Sequence, residues 1–131
     1  MTYLLDTNVL SETCKREPEP RVLTWLGDIG SFALSAISVA EVNYGLTFRP
    51  NARIQRVLER YLRSYSTVHG VTEVIAKHAG LLRGQLARKG KVRSQADMLI
   101  AATAAAHGLM LATRNERDFD GCGVALYNPF R

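Results

Sequence analysis

At 131 residues, 47% apolar and 22% charged, the chain has the makeup of one globular domain with a sizeable core, which excludes collagen-like, mucin-like and disordered classes. It holds no run of about 18 uncharged apolar residues, and its opening Met1-Thr-Tyr-Leu-Leu-Asp6 lacks the basic flank and small-residue cleavage site of a secretory leader, so a cytoplasmic protein with no membrane association is expected. With 17 Lys and Arg against 12 Asp and Glu the formal charge is +5, which favours a polyanionic or acidic partner.

Residues 2–5 form a short apolar run closed by Asp6, Thr7 and Asn8, residues of turns and caps. Val9-Leu-Ser-Glu12 then resumes at helical spacing, so a strand followed by a helix is expected. Pro18 and Pro20 precede a one-sided set, Val22, Leu23, Trp25 and Leu26, expected as a helix that ends within residues 27–30. Residues 32–35 read as a second strand, and the helical pattern returns from Ser38 to Leu46. Pro50 and Asn51 introduce the most regular helix, with Ile54, Val57, Leu58, Tyr61, Leu62 and Tyr65 on one stripe. Its outer face carries Arg53, Arg56, Arg60 and Arg63, which suits either simple solvation or phosphate contact. A short strand at 66–68 and a helix over 72–89 follow, the helix burying Ile75, Ala79, Leu82 and Leu86. Residues 90–93 are a basic connector. Ser94 opens an alanine-rich helix that runs to His107 and stops at Gly108. Strands at 109–113 and 124–126 complete the pattern before Asn128, Pro129 and Phe130.

No repeat or linker divides residues 1–131, and strands alternate with helices throughout. The expected fold class is therefore α/β, a single domain with a central, mainly parallel sheet and helices on both faces. In such sheets ligands bind beyond the carboxyl ends of the strands. That directs attention to Asp6, to residues 35–41 and to residues 114–118.

Those positions gather acids. Asp6 and Glu41 stand at or near strand ends, Asp97 in the first turn of a helix, and Asp118 after Thr113, Arg114 and Asn115. Like charges on one rim repel unless a cation neutralises them. An all-oxygen set without companion His or Cys suits a hard ion such as Mg2+ or Mn2+, and the chemistry such an ion supports is phosphoryl transfer. Each acid has a structural alternative. Ser38 and Glu41 fit a capping box, Ser94 and Asp97 a similar device, and Asp6-Thr7-Asn8 an Asx-type turn. His69, His78 and His107 lack metal-ligand spacing, and His107 is most simply a helix-terminal residue. Cys14 and Cys122, far apart and outside any CxxC pair, read as incidental thiols. No GxGxxG or P-loop occurs, and Trp25 and Tyr61 are expected in the core.

Five ordered blocks carry a resemblance: Leu4-Leu-Asp-Thr-Asn-Val-Leu-Ser-Glu12, Leu34-Ser-Ala-Ile-Ser-Val-Ala-Glu-Val-Asn-Tyr-Gly-Leu46, Ala96-Asp-Met-Leu-Ile-Ala-Ala-Thr-Ala104, Ala112-Thr-Arg-Asn-Glu-Arg-Asp-Phe119 and Asn128-Pro-Phe130. Together they resemble the PIN-domain toxins of the VapC type, including the FitB-like branch. The resemblance implies the toxin of a type II toxin–antitoxin pair, a Mg2+- or Mn2+-dependent endoribonuclease that cuts transfer or ribosomal RNA and halts translation. It further implies a VapB-like antitoxin as partner and a homodimer or toxin–antitoxin hetero-oligomer as the assembly. Carried over by position, Asp6 and Asp97 match the metal-binding acids and Glu41 the third acid. The family often has Asp where Asn115 stands, so Asn115 or Asp118 is expected to complete the site. Thr7 and Thr113 match small hydroxyl positions that orient carboxylates. Arg53, Arg88, Lys91, Arg93 and Arg114 are candidates for neutralising RNA phosphates.

Three other readings are open on sequence grounds. A metal-dependent DNA nuclease needs the same acids, because metal-activated water requires no 2′-hydroxyl. A non-catalytic PIN-like module gripping RNA or a protein partner would tolerate Asn115. A phosphoacceptor receiver domain shares the fold class but expects two adjacent acids after the first strand and a Lys after the last, and neither is present.

Overall fold

A computed structural model describes residues 2–131. Its strands are β1 (Tyr3–Leu5), β2 (Phe32–Ser35), β3 (Ser66–His69), β4 (Met110–Ala112) and β5 (Leu126–Tyr127). Its α-helices are α1 (Thr7–Glu12), α2 (Pro20–Ile29), α3 (Ala36–Phe48), α4 (Ala52–Ser64), α5 (Glu73–Arg88) and α6 (Gln95–Ala106), with a single 3-10 turn at Glu116–Phe119. The sheet order is β3-β2-β1-β4-β5, and every pairing is parallel.

Alternation within the strands explains why helices cover both faces. Leu4, Ala33 and Leu111 turn to one side and pack with α5 and α6 through Ile75, Leu82, Met98 and Ala101. Their neighbours Leu5, Phe32, Leu34 and Ala112 turn to the other side, against Val9, Val22, Leu26 and Leu58. Successive strand side chains point to opposite faces, so a strand buried on both must be apolar throughout. In β2 all of Phe32 to Ser35 are buried.

The chain leaves β1 for β2 on one side of the sheet and comes back to β4 on the other. The strand order therefore reverses at β1, and a crevice opens at its carboxyl end. Asp6, the next residue, is tied there by its own amide, which donates to the Ala112 carbonyl at 2.8 Å.

Most boundaries shift by a residue or two from the sequence expectation, and two of the shifts bear on the packing. Helix α3 begins at Ala36, with Ser35 as its cap: the Ser35 hydroxyl accepts from the Ile37 amide at 3.0 Å. Ser38 is therefore buried within the helix, and the capping box expected of Ser38 and Glu41 does not form. The last strand is Leu126–Tyr127 rather than 124–126, because Tyr127 joins an aromatic cluster. Its ring stacks on Trp25 at 5.3 Å and lies 5.7 Å from Tyr3, itself edge-on to Trp25 at 4.9 Å. Trp25 is accordingly half-buried under β1 and β5, short of full enclosure. Helix α6 ends as expected, with His107 at the cap and Gly108 at φ 62°, a conformation glycine adopts without strain. The rings of His107 and His69 are stacked 3.7 Å apart. Among the described residues no helix is long and apolar enough to cross a membrane.

Candidate active site

Asp6 caps α1. Its Oδ1 accepts from the Thr7 amide at 2.8 Å, which satisfies one of the free donors at the helix start. Its Oδ2 accepts from the Asn8 side-chain amide at 3.1 Å and from the Thr113 hydroxyl at 2.9 Å. Asp6 thus acts as a helix cap through the Thr7 amide rather than through the Asn8 amide that an Asx turn would use, and these contacts hold one carboxylate at the end of β1. Asp6 is 5% exposed. Burial, and after it the negative charge of Asp97 and Glu41, outweigh these hydrogen bonds and push its carboxyl up to about 6.

Glu41 reaches the same place from α3. The Thr7 hydroxyl donates to Glu41 Oε1 at 2.6 Å and lies 2.9 Å from the Ser38 hydroxyl. The Ser38 side chain that sequence spacing assigned to a cap therefore braces Thr7 instead. Asp97 arrives from the start of α6, where the Ser94 hydroxyl accepts from the Asp97 amide at 3.0 Å, so the cap foreseen at Ser94 is formed. Burial raises the Asp97 carboxyl above its ordinary range. Asp118 and Glu41 add to that rise, and Ser94 and Arg93 oppose it.

Asn115 and Asp118 share a hollow of about 380 Å3 with Arg114, Arg117 and Arg131. The Asn115 amide donates to the Thr113 hydroxyl at 3.0 Å, and the Asp118 amide to the Asn115 carbonyl at 3.1 Å. Asp118 feels Asp97 electrostatically. Asn115 joins through Thr113, the hydroxyl that also serves Asp6.

The five basic candidates separate. Arg93 lies close enough to Asp97 to oppose its shift, and the Arg93 Nε is buried without a hydrogen-bond partner. Arg53 donates to the Cys14 carbonyl at 3.0 Å and lines the same hollow as Glu41. Arg114 stacks over the Phe130 ring at 4.9 Å. Lys91 pairs with Asp120 at 3.7 Å. Arg88 is exposed in a separate hollow with Gln85 and Lys89, away from the acids. Asn8, read from the sequence only as a turn residue, donates from Nδ2 to Asp6 and accepts at Oδ1 from the Arg114 amide at 3.3 Å, joining the start of α1 to the loop after β4. The signal available was its place two residues after Asp6.

The donor set is entirely oxygen, and the carboxyls of Asp6 and Asp97 are both raised, by burial first and by neighbouring acids after it. Among the described residues no three acidic, His or Cys side chains converge into a complete metal cage. The all-oxygen chemistry of the donors is that of a small hard cation, which keeps several of its waters. Zinc, whose sites draw mainly on nitrogen and sulfur ligands, suits such a set less well.

The PIN domain profile matches residues 3–122. VapC ribonuclease Y4jK of Sinorhizobium fredii is 36% identical, with 97% of this chain and 96% of the relative covered. The crystal structure of FitAcB from Neisseria gonorrhoeae superposes with a TM-score of 0.87 at 34% identity, covering 99% of each chain. A toxin–antitoxin complex from Klebsiella pneumoniae superposes at 0.78 with 26% identity and 99% of each chain covered. The agreement spans nearly the whole length: this chain belongs to the PIN-domain family, in the branch that holds the VapC and FitB proteins.

Proposed function

We propose that this chain is the toxin of a type II toxin–antitoxin pair and acts as a divalent-metal-dependent endoribonuclease on transfer or ribosomal RNA. The observation that carries the reading is the approach of Glu41 and Asp97, from two other elements, to a buried Asp6 whose carboxyl is pushed up to about 6 by burial and by these acidic neighbours. Holding a buried carboxylate beside other negative charges destabilises the free protein, and a bound cation offsets that cost. Asp6 and Asp97, with Glu41, would hold Mg2+ or Mn2+, and the ion would supply a water of lowered pKa and neutralise a phosphodiester oxygen.

The chain's own residues set that arrangement up. Thr7 fixes the Glu41 carboxylate, while Asn8 and Thr113 fix Oδ2 of Asp6. Asn115 places a neutral amide where a fourth acid would add charge, and Asp118 supplies the further carboxylate beside Asp97. Arg93 and Arg114 bring positive charge to the rim, which favours an approaching phosphate. A VapB-like antitoxin silences the site, and the active unit is a homodimer or its hetero-oligomer with that partner.

The test is incubation of antitoxin-free protein with total bacterial RNA and with matched DNA, in Mg2+, Mn2+ or EDTA, beside Asp6→Asn. EDTA-sensitive RNA fragments that the variant does not produce support the reading. Cleavage of DNA alone reassigns the chain to DNA, and an undiminished rate in Asp6→Asn removes the mechanism.

A further inference from the structure

Beside the acidic centre a groove of about 460 Å3 opens between α1, α3 and α4. Thr7 and Glu41 form its inner end, so it is continuous with the site. Val42, Leu46, Ile54 and Leu58 give it an apolar floor, and its rim is cationic: Lys15, Arg16, Arg49 and Arg53. Glu12 holds Lys15 at 2.8 Å, and the Cys14 carbonyl holds Arg53. Among the described residues no ion pair engages Arg16 or Arg49.

Gly45 lies on the wall of this groove, one of four glycines within helices whose added Cβ would meet nothing. It lies inside α3, where glycine is the poorest choice after proline. Its φ is not positive, and an added Cβ would meet nothing within 4 Å, so neither backbone conformation nor internal packing calls for glycine there. Gly45 does line the groove. A bare backbone at that point lets a bound group lie against the helix itself.

We propose that this groove is a nucleobase pocket, which takes the unpaired base of a nucleotide next to the scissile phosphate while Arg16 and Arg49 hold the flanking phosphates. The choice of RNA rests on the endoribonuclease reading. A strand whose phosphate lies at Asp6 and Asp97 must enter or leave through a neighbouring depression, and this one opens at Glu41. Apolar floor beside cationic rim matches the repeating chemistry of a single strand, base face and phosphate in turn. A duplex keeps its bases stacked and cannot fill the pocket, so the groove selects unpaired RNA.

Binding is measured by fluorescence anisotropy in EDTA, where metal-dependent cutting is absent. The probes are a labelled strand of about ten uridines, an abasic ribose-phosphate strand of equal length, and the uridine strand paired with oligoadenylate. The wild-type chain is expected to bind the uridine strand about tenfold more tightly than the other two. Gly45→Leu fills the groove and should abolish that preference without lowering the thermal midpoint. Gly84→Leu, on the exposed side of α5 where a Cβ also meets nothing, should keep it. Arg49→Ala, a surface change that leaves the core intact, should weaken uridine binding and reduce the salt slope by about 0.7.

Equal or absent binding of the three probes overturns the pocket, and so does a Gly45→Leu protein that retains the preference. If Gly45→Leu retains it but escapes inhibition by the antitoxin, the groove belongs to the protein partner and the proposal falls. Base-dependent binding by a chain that cuts no RNA in either metal removes the nuclease reading and leaves the pocket standing. Cleavage with base-independent binding does the reverse.

Discussion

Asp6 accepts three hydrogen bonds, yet its carboxyl is pushed up to about 6 from an ordinary 3.8. The folded state therefore binds the proton more tightly than the unfolded chain. That contribution to stability is complete below pH 3.8 and is lost as pH rises through about 6, a swing on the order of 3 kcal/mol from the two pKa values. Asp6→Asn keeps a good N-cap residue and removes the charge. Its thermal midpoint should exceed the wild type's at pH 7.5 without divalent ion, and the gain should vanish by about pH 4 in a melting series. A variant that is less stable at both pH values would contradict the assigned cost of the buried charge. Thr7→Val tests positioning, since it removes the donor to Glu41 while keeping shape. Cleavage should fall about tenfold in kcat with KM nearly unchanged, and the midpoint should move little.

At the scale of elements, the cap at the start of α6 serves two ends at once. Ser94 satisfies the Asp97 amide, which starts the helix and sets the height at which the Asp97 carboxylate meets Asp6. Ser94→Ala should lower stability by about 1 kcal/mol, or roughly 3–5 °C in thermal midpoint. Ser94→Asp should restore the midpoint while adding a charge beside Asp97 that raises its carboxyl further. The start of α3 shows how spacing alone can mislead. Ser38 and Glu41 have the capping-box interval, but Ser35 lies at the true end of β2 and takes the cap, because α3 follows that strand with no intervening loop. Ser38 is left one turn inside, buried against Thr7.

For the whole molecule, the net charge of +5 and the acids around Asp6 act in opposite directions on a polyanion. Mg2+ or Mn2+ should raise the wild-type midpoint at pH 7.5 and leave Asp6→Asn nearly unmoved, since ligation selects the folded state. Equal stabilisation of both proteins would place the cation elsewhere. RNA binding should weaken steeply with salt. Arg88→Ala, remote from the acids, should change that slope far less than Arg49→Ala.

Order and type of the elements were legible in the sequence because hydrophobic period and helix punctuation are local properties. The stripe from Ile54 to Tyr65, the stop at Gly108 and the cap at Ser94 all lie within a few residues of the structure they specify. Asp6, Glu41 and Asp97 were legible as acids at predicted strand and helix ends. Their meeting was decided by the sheet order, which reverses at β1 through pairings between residues far apart in the chain. The scattering of Arg88, Lys91 and Arg53, the hold of Asn8 on Asp6, and the groove at Gly45 likewise depend on the packing of distant elements. One chain's local pattern carries propensity and period, whereas contacts between remote segments exist only once burial has chosen which faces come together.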